Sequence, residues 1–506
     1  MSWLPLWLRT YQPTWLAGDL TAGLIVTVML IPQSLAYAML AGLPPEVGLY
    51  ASILPIVAYA LLGSSMTLAV GPVAVASLMT ASALQPLAAA GSPDYVALAV
   101  QLSLISGVML LVFGALRLGF LAYFLSHPVI SGFITGSAVL IAVGQLKYIL
   151  GVKVAGSDVL ETLAGLVKAL PQTQPATLVI GVSSLLFLLL ARRYLAQGLI
   201  RVGCSAKAAD LMTKLAPMVA VIASTALVAG FKLNETAGVS VVGHVPQGLP
   251  QLALSLPNMT TLGQLWLPAL LITLIGFVES VSVAQSLALK RQQRIEPNRE
   301  LLGLGAANVA SALSGGYPVT GGFSRSVVNF AAGANTPLAG VISAALMALV
   351  IAALTGLFHY LPHAVLAATI IVAVTSLIDL KTLKEAWHYD RSDALSLLAT
   401  ALGVVTLGVE AGILTGVVLS LGVLVWRSSH PHMAVVGRVP GSEHFRNIKR
   451  HAVETVPGLL ALRVDESLFF ANATILEDYI EKLLADDPSL RYVLLICSAV
   501  NQVDTT

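Results

Sequence analysis

Apolar runs of about 18 or more residues, each long enough to cross roughly 30 Å of hydrocarbon at 1.5 Å per residue, recur from residue 20 to residue 426. Charge is scarce between them. Hydrophobic residues make up 57% of the 506 and charged residues only 10%, too few to cover a water-soluble globule of this size. The sequence therefore predicts an all-α polytopic membrane protein.

Fourteen segments qualify as spans. The first half holds 20–41, 48–62, 72–87, 96–116, 127–149, 176–191 and 214–231. The second holds 264–288, 299–314, 323–332, 337–358, 363–378, 393–410 and 412–426. The third and tenth are short, and both follow glycine- or proline-containing breaks, "AVGPVAVASLM" and "YPVTGGFSRSVVN". A matched pair of interrupted segments in corresponding places is the mark of an inverted-repeat transporter. With seven spans per half, the second half must lie upside down relative to the first.

The positive-inside rule tests this map. With the N-terminus in the cytoplasm, the inner segments carry fifteen lysines and arginines, among them Arg192, Lys207, Lys214 and Arg291. The outer segments carry only Lys147, Lys153, Lys168 and Lys232. One basic residue, Arg325, is left inside the hydrocarbon zone. The net charge of +2 argues nothing about nucleic acid. The start of the chain lacks a short apolar core with a small-residue cleavage site, so no removable signal peptide is expected.

Composition changes near Ser428. Residues 428–452 are polar and turn-rich and read as a linker. Then "LLALRVDESLFF" reads as a strand, "ATILEDYIEKLLAD" as an amphipathic helix and "RYVLLICSAV" as a buried strand. This order predicts the start of a small cytoplasmic α/β domain. The 453–506 stretch, about 50 residues, is short for a stable α/β core.

Arg325 is the leading candidate for chemistry. Intramembrane ionisable residues are costly and line substrate paths; the alternatives are snorkelling to the interface or pairing within the bundle. Gly321 and Gly322 allow a backbone break, after which Phe323, Ser324, Arg325 and Ser326 form the first turn of a half-helix. Such an N-terminus exposes unpaired N–H groups and about half a positive charge. With a guanidinium and two hydroxyls added, it suits a small oxyanion. In the first half, Gly71 breaks the chain and Pro72 is expected at the first helical position. The small side chains of Val73, Ala74, Val75 and Ala76 follow, with Ser77 one turn in. They would let backbone amides approach a ligand, or simply pack helices closely.

Glu279 lies deep in the eighth span. A carboxylate there is protonated, paired with Arg325, or a proton site. Gln33, beside an expected break at Pro32, and Tyr37, one turn on along the same face, are candidate substrate contacts or helix–helix hydrogen bonds. Asp19 reads as a helix N-cap. His127, His359 and His363 are expected to face water. Cys204 and Cys497 form no disulfide framework or metal motif. No nucleotide-binding loop or metal-enzyme motif occurs, so no cofactor or metal is expected, and no enzyme.

At these residues the chain resembles the sulfate permease (SulP) family of anion transporters. "IPQSLAYAMLAGLPPEVGLYASILPIVAYALLGSSMTLAVGPVAVASLMT" is similar to its N-terminal signature, and "FVESVSVAQSLA" to its eighth span. "NRELLGLGAANVASALSGGYPVTGGFSRSVVNFAAGANTPLAG" is similar to its ninth through early eleventh spans. The tail resembles the first part of a STAS domain and stops where such domains continue. The resemblance implies a core of spans 1–4 and 8–11 and a gate of spans 5–7 and 12–14 within residues 1–427. It places the anion between the N-termini of segments 3 and 10. The implied site comprises Gln33, Tyr37, Val73, Ala74, Val75, Ser324, Arg325 and Ser326, with Glu279 for proton coupling. It further implies alternating access and a homodimer.

The expected function is proton-coupled sulfate uptake across a bacterial inner membrane, with both termini cytoplasmic. Bicarbonate, chloride-exchange and C4-dicarboxylate transport within the family remain alternatives, as does an anion channel. A nucleobase carrier of similar architecture has no use for an arginine at a half-helix start.

Overall fold

The computed structural model describes residues 5–123, 126–154, 159–252 and 254–506. The first four residues of the amino-terminal stretch and the side chain of Lys207 lie outside the described residues. Two compact units result, Met1–Gly416 and Val417–Thr506.

Each of the fourteen predicted segments contains a helix. Among the described residues, eight helices are long and apolar enough to cross a membrane. A ninth forms if Ala208–Lys214 and Ala216–Phe231, bent by 46°, count as one span. The other five segments are short or interrupted. In chain order, the elements that build the first unit begin with α1 (Leu16–Leu40), α2 (Leu54–Leu62), strand β1 (Val70–Gly71), α3 (Ala74–Leu84), α4 (Pro93–Ala115) and α5 (His127–Leu150). Next come α6 (Val159–Ala169), α7 (Pro175–Leu190), α8 (Ala216–Phe231), α9 (Met259–Leu289), α10 (Pro297–Leu313), β2 (Thr320–Gly321) and α11 (Phe323–Ala331). Then follow α12 (Leu338–Ala353), α13 (His363–Thr375), α14 (Leu380–Tyr389) and α15 (Arg391–Leu407), and after them α16 (Val409–Ser429), within which the boundary between the two units falls.

Packing sorts these helices into two groups. α4 and α10 lie along each other, α10 also packs on α2, and α12 packs on α1 and α2. In the second group, α15 and α13 pack on α5, and α13 packs on α7. Small residues set the spacing. A Cβ at Gly107 of α4 would sit 3.0 Å from the Gly305 carbonyl of α10, and one at Gly132 of α5 would collide with the Leu397 carbonyl of α15. Without a hydrophobic drive between helices in lipid, such backbone approach supplies the association.

Two buried carboxylates pin the loops of the first group. Glu300, in the first turn of α10, accepts from the Tyr59 hydroxyl (2.7 Å), the Ser64 hydroxyl (2.6 Å) and the Ser64 and Ser65 N–H groups (2.8 and 3.0 Å). Its place at a helix N-terminus also favours its charge. Contrary to expectation, Asp19 does not cap its own helix. It is fully buried and accepts from the Asn335 and Thr336 N–H groups and the Thr336 hydroxyl, fixing the turn that enters α12. Charged hydrogen bonds contribute about 1.5–3 kcal/mol each, so Glu300→Ala is expected to lower the thermal unfolding temperature sharply and Glu300→Gln by less. Unchanged melting of both would contradict this role.

The structure differs from expectation in smaller ways. Pro32 does not break α1, which runs through it; it only removes one backbone donor. Span two is interrupted, with helix over Pro45–Tyr50 and again from Leu54. His127 and His359 are exposed, but His363 is half-buried against Ser240 (3.0 Å).

The second unit carries a sheet of order β4-β3-β5-β6, formed by β3 (Met433–Arg438), β4 (Phe445–Asn447), β5 (Leu459–Val464) and β6 (Tyr492–Ile496). β5 and β6 run parallel, joined through α17 (Ala473–Asp486). β3 is antiparallel to both β4 and β5. The stretch read as a linker thus supplies two strands. Ala434 and Val436, buried two residues apart on one face, carry the apolar alternation there, hidden among polar turns.

Candidate functional site

Two short strands cross at the centre of the first unit. β1 pairs antiparallel with β2, Val70 opposite Gly321 and Gly71 opposite Thr320. Gly71 has φ +152°, which favours glycine. Pro72 precedes the helix rather than starting it; Val73 is the N-cap of α3 and Gly322 that of α11. Because the strands are antiparallel, the two half-helices leave the crossing in opposite directions with their N-termini facing one place.

Neighbouring helices hold the crossing. The Ser280 hydroxyl of α9 donates to the Gly276 carbonyl (2.6 Å) and accepts from the Gly321 N–H (2.8 Å). Thr320 donates to the Gly276 carbonyl (2.8 Å). Asn308 of α10 clasps the backbone of Val319, accepting from its N–H (3.0 Å) and donating to its carbonyl (2.9 Å). The Tyr317 hydroxyl meets the Ser77 hydroxyl (2.9 Å), tying the second loop to the first half-helix. The Asn329 amide donates to the Thr67 carbonyl (3.0 Å).

The first intrahelical bonds are Ser77 N–H to Val73 and Ser326 N–H to Gly322, both 3.0 Å. No side chain caps the N–H groups ahead of them. These donors, with the two helix dipoles, make the meeting point electropositive.

A cavity of about 50 Å³ lies there. Gln33 and Tyr37 line it from α1, Val73, Ala74 and Val75 from the first half-helix, and Glu279 from α9. Phe323, Ser324 and Arg325 line it from the second half-helix, facing Ala373, Val374, Ser376 and Leu377 at the end of α13. The structure therefore brings together every predicted site residue except one. Ser326 points away: its hydroxyl donates to the Gly322 carbonyl (2.6 Å) and accepts from the Ala69 N–H (2.9 Å). It braces the crossing instead of facing the cavity, because two residues along a helix turn a side chain to the other side.

Arg325 is 2% exposed, and its Nε, Nη1 and Nη2 all lack a hydrogen-bond partner. The guanidinium lies over the α-carbons of Gly71 and Gly322; a Cβ at either would come within 3.3 or 3.2 Å of Nη2. Glu279 makes no ion pair with it, and Glu279 Oε2 is buried and unpaired. Tyr37 lines the same cavity as both.

The small cavity shares Gln33, Tyr37, Phe323, Ser324, Ala373 and Ser376 with a larger one of about 400 Å³, bordered by Arg192 and Lys214. Sequence reading missed the α13 end and Tyr317, which carry no distinctive local signal. Asn308 and Asn329 did carry one, as amides inside apolar segments.

A buried, unpaired cation facing two half-helix N-termini within an apolar helical bundle is suited to holding a small anion. Residues 16–400 match the sulfate permease family, and residues 450–506 match the STAS domain. The chain belongs to the sulfate permease family and is an anion transporter. It is similar to the chloroplastic sulfate transporter 4.1 of Arabidopsis thaliana, 36% identical over 99% of this chain and 73% of that one. It is also 36% identical to a probable sulfate transporter of Mycobacterium tuberculosis, over 98% of this chain and 86% of that one. Among solved structures, the murine anion transporter Solute Carrier 26 family member A9, in its inward-facing state, shares the fold. The TM-score is 0.89 at 22% identity, over 99% of this chain and 84% of that one. The transmembrane domain of the cyanobacterial bicarbonate transporter BicA aligns with a TM-score of 0.68 at 24% identity, over 79% of this chain and 98% of that one.

Proposed function

We propose that the protein is a secondary active carrier that takes up sulfate with protons by alternating access. The observation that carries this reading is the Arg325 guanidinium, buried with three unpaired nitrogens at the meeting of two half-helix N-termini. A buried cation without a partner is costly, and a small oxyanion supplies what it lacks. Gln33, Tyr37 and Ser324 offer side-chain donors, and the amides around Val73, Ala74 and Val75 offer backbone ones. Sulfate is the anion of choice because relatives at 33–36% identity carry that name.

Glu279 is the proton carrier in this reading. A buried carboxylate with an unpaired oxygen, lining the same cavity as the cation without pairing with it, can change protonation without collapsing into a fixed ion pair. The two packing groups are the moving parts. The core comprises spans 1–4 and 8–11 and the gate spans 5–7 and 12–14, within a transporter domain of residues 1–427 arranged as inverted repeats. Residues 428–452 link it to the STAS portion, 453–506. Both termini are cytoplasmic in the inner membrane of a bacterium, and the working form is a homodimer. The larger cavity beside Arg192 and Lys214, on the side rich in positive charge, makes this an inward-facing state.

Purified protein in liposomes tests the reading with radiolabelled sulfate, competed by bicarbonate, chloride and fumarate. Saturable uptake, driven by an acid exterior and blocked by unlabelled sulfate before the other anions, is the expected result. Non-saturating flux would identify a channel, and stronger competition by another anion would displace sulfate.

A further inference from the structure

Behind the strand crossing lies a second, smaller chamber of about 20 Å³, between α1, α2, α11 and α12. Its walls are largely apolar, with Val26, Leu30, Ile56 and Leu68 among them. Four side chains bring polar atoms to it: Tyr59, Ser343, Arg325 and Asn329. Two of these are already engaged. The Tyr59 hydroxyl donates to Glu300 (2.7 Å), and the Ser343 hydroxyl donates to the Gly23 carbonyl (2.8 Å). The other two are not. Arg325 has three unpaired nitrogens, and Asn329 Oδ1 is buried and unpaired.

Asn329 is oriented for a purpose its own bond does not explain. Its Nδ2 donates to the Thr67 carbonyl (3.0 Å), which fixes the amide and commits Oδ1 to accept from something else. It stands four residues after Arg325 on the same helix, so the two side chains share a face. The chamber exceeds the roughly 10–15 Å³ of free space that one water requires, and it offers polar partners on two sides. Among the described residues, Arg325 alone borders both this chamber and the anion cavity.

We propose that Asn329 is a positioning residue for Arg325: through one water in the rear chamber, its Oδ1 holds the back of the guanidinium and presents the front to the anion. This rests on the reading of Arg325 as the anion's partner. The water donates to Oδ1 and accepts from the guanidinium, so the unloaded cation keeps one hydrogen bond. An arriving anion takes the remaining donors without having to reorient the side chain. Pre-organisation of this kind lowers the ordering cost of binding.

Sulfate affinity and thermal stability of the full-length protein, measured together, test this. Asn329→Asp sets a carboxylate where the neutral oxygen stood and draws the guanidinium backward. The expected result is sulfate binding weakened at least tenfold, while the unloaded protein melts at the same temperature or higher. A purely structural asparagine gives the opposite pattern: a lower melting temperature, from the lost donor to Thr67, and unchanged affinity. That outcome overturns the proposal. Asn329→Leu removes the acceptor and fills the chamber. It is expected to raise the half-saturating sulfate concentration several-fold with an unchanged maximal rate, and an unchanged half-saturation would also overturn the proposal should the Asp variant not fold. Arg325→Met run in parallel separates the two failures: if it binds sulfate normally, the anion site itself is misplaced; if it does not, only the role of Asn329 is lost.

Discussion

Replacing Arg325 by methionine, which keeps most of the side chain's volume, is expected to abolish sulfate binding and to stabilise the unloaded protein. The two effects have one cause. The guanidinium is 2% exposed and its nitrogens have no acceptor among the described residues. A buried charge without a partner is a net cost to the fold, on the order of several kcal/mol. Methionine removes that cost. In the loaded state the same charge faces a dianion in a cavity largely closed to water. Loss of one partner in a buried charged contact typically costs about 2–5 kcal/mol, or roughly 30- to 4,000-fold in Kd. Saturating sulfate should raise the melting temperature of the natural protein, since a ligand at 100 times its Kd stabilises by about 2.7 kcal/mol. The variant should melt higher than the natural protein without sulfate and show no shift with it. An equal sulfate-dependent shift in both proteins would reject Arg325 as the anion's partner. Lysine is not expected to restore function, because a compact ammonium on a flexible stem cannot present the planar fork that two oxygens accept.

Glu279→Gln is expected to leave sulfate exchange running and to end its accumulation against a gradient. Glutamine keeps the shape and a carbonyl oxygen but cannot take up or release a proton. Each proton carried down a one-unit pH gradient is worth about 1.4 kcal/mol, a tenfold accumulation of substrate if one proton moves per cycle. With the exterior more acidic, the natural protein should concentrate sulfate inside; with the gradient reversed, it should lose it. The variant should reach equal concentrations in both cases while still exchanging labelled for unlabelled sulfate. Absence of an ion pair between Glu279 and Arg325 makes this separation of functions feasible, since the anion's partner stays in place when the carboxylate is neutralised. Accumulation that still followed the pH gradient in the variant would move proton coupling to another group.

Much of this architecture is legible in the chain because hydrocarbon imposes a simple rule. Each span must be apolar over a fixed length, so the segments and the two short ones stand out. The positive-inside bias then isolates Arg325 by subtraction. What stays hidden depends on partners distant in sequence. A two-residue strand has no periodicity, so the β1–β2 crossing leaves no trace beyond its glycines. Glu300 looks like an ordinary acidic residue at a helix start, yet its partners are backbone groups more than 230 positions earlier. Asp19 likewise resembles a cap and serves another helix altogether. Ser326 sits in the right motif, but its hydroxyl is taken by the crossing. Tyr317 meets Ser77 of the first half-helix where Ser311 and Asn308 hold its loop back onto α10. In each case local sequence announces a polar group, and the tertiary approach decides what it meets.

Anomalous diffraction from crystals grown with selenate, a tetrahedral dianion that scatters where sulfate does not, locates the substrate directly. One strong peak within hydrogen-bond reach of the Arg325 guanidinium, between the starts of α3 and α11, is the result expected here. A peak elsewhere in the bundle, with the cavity beside Arg325 lacking any, would contradict it.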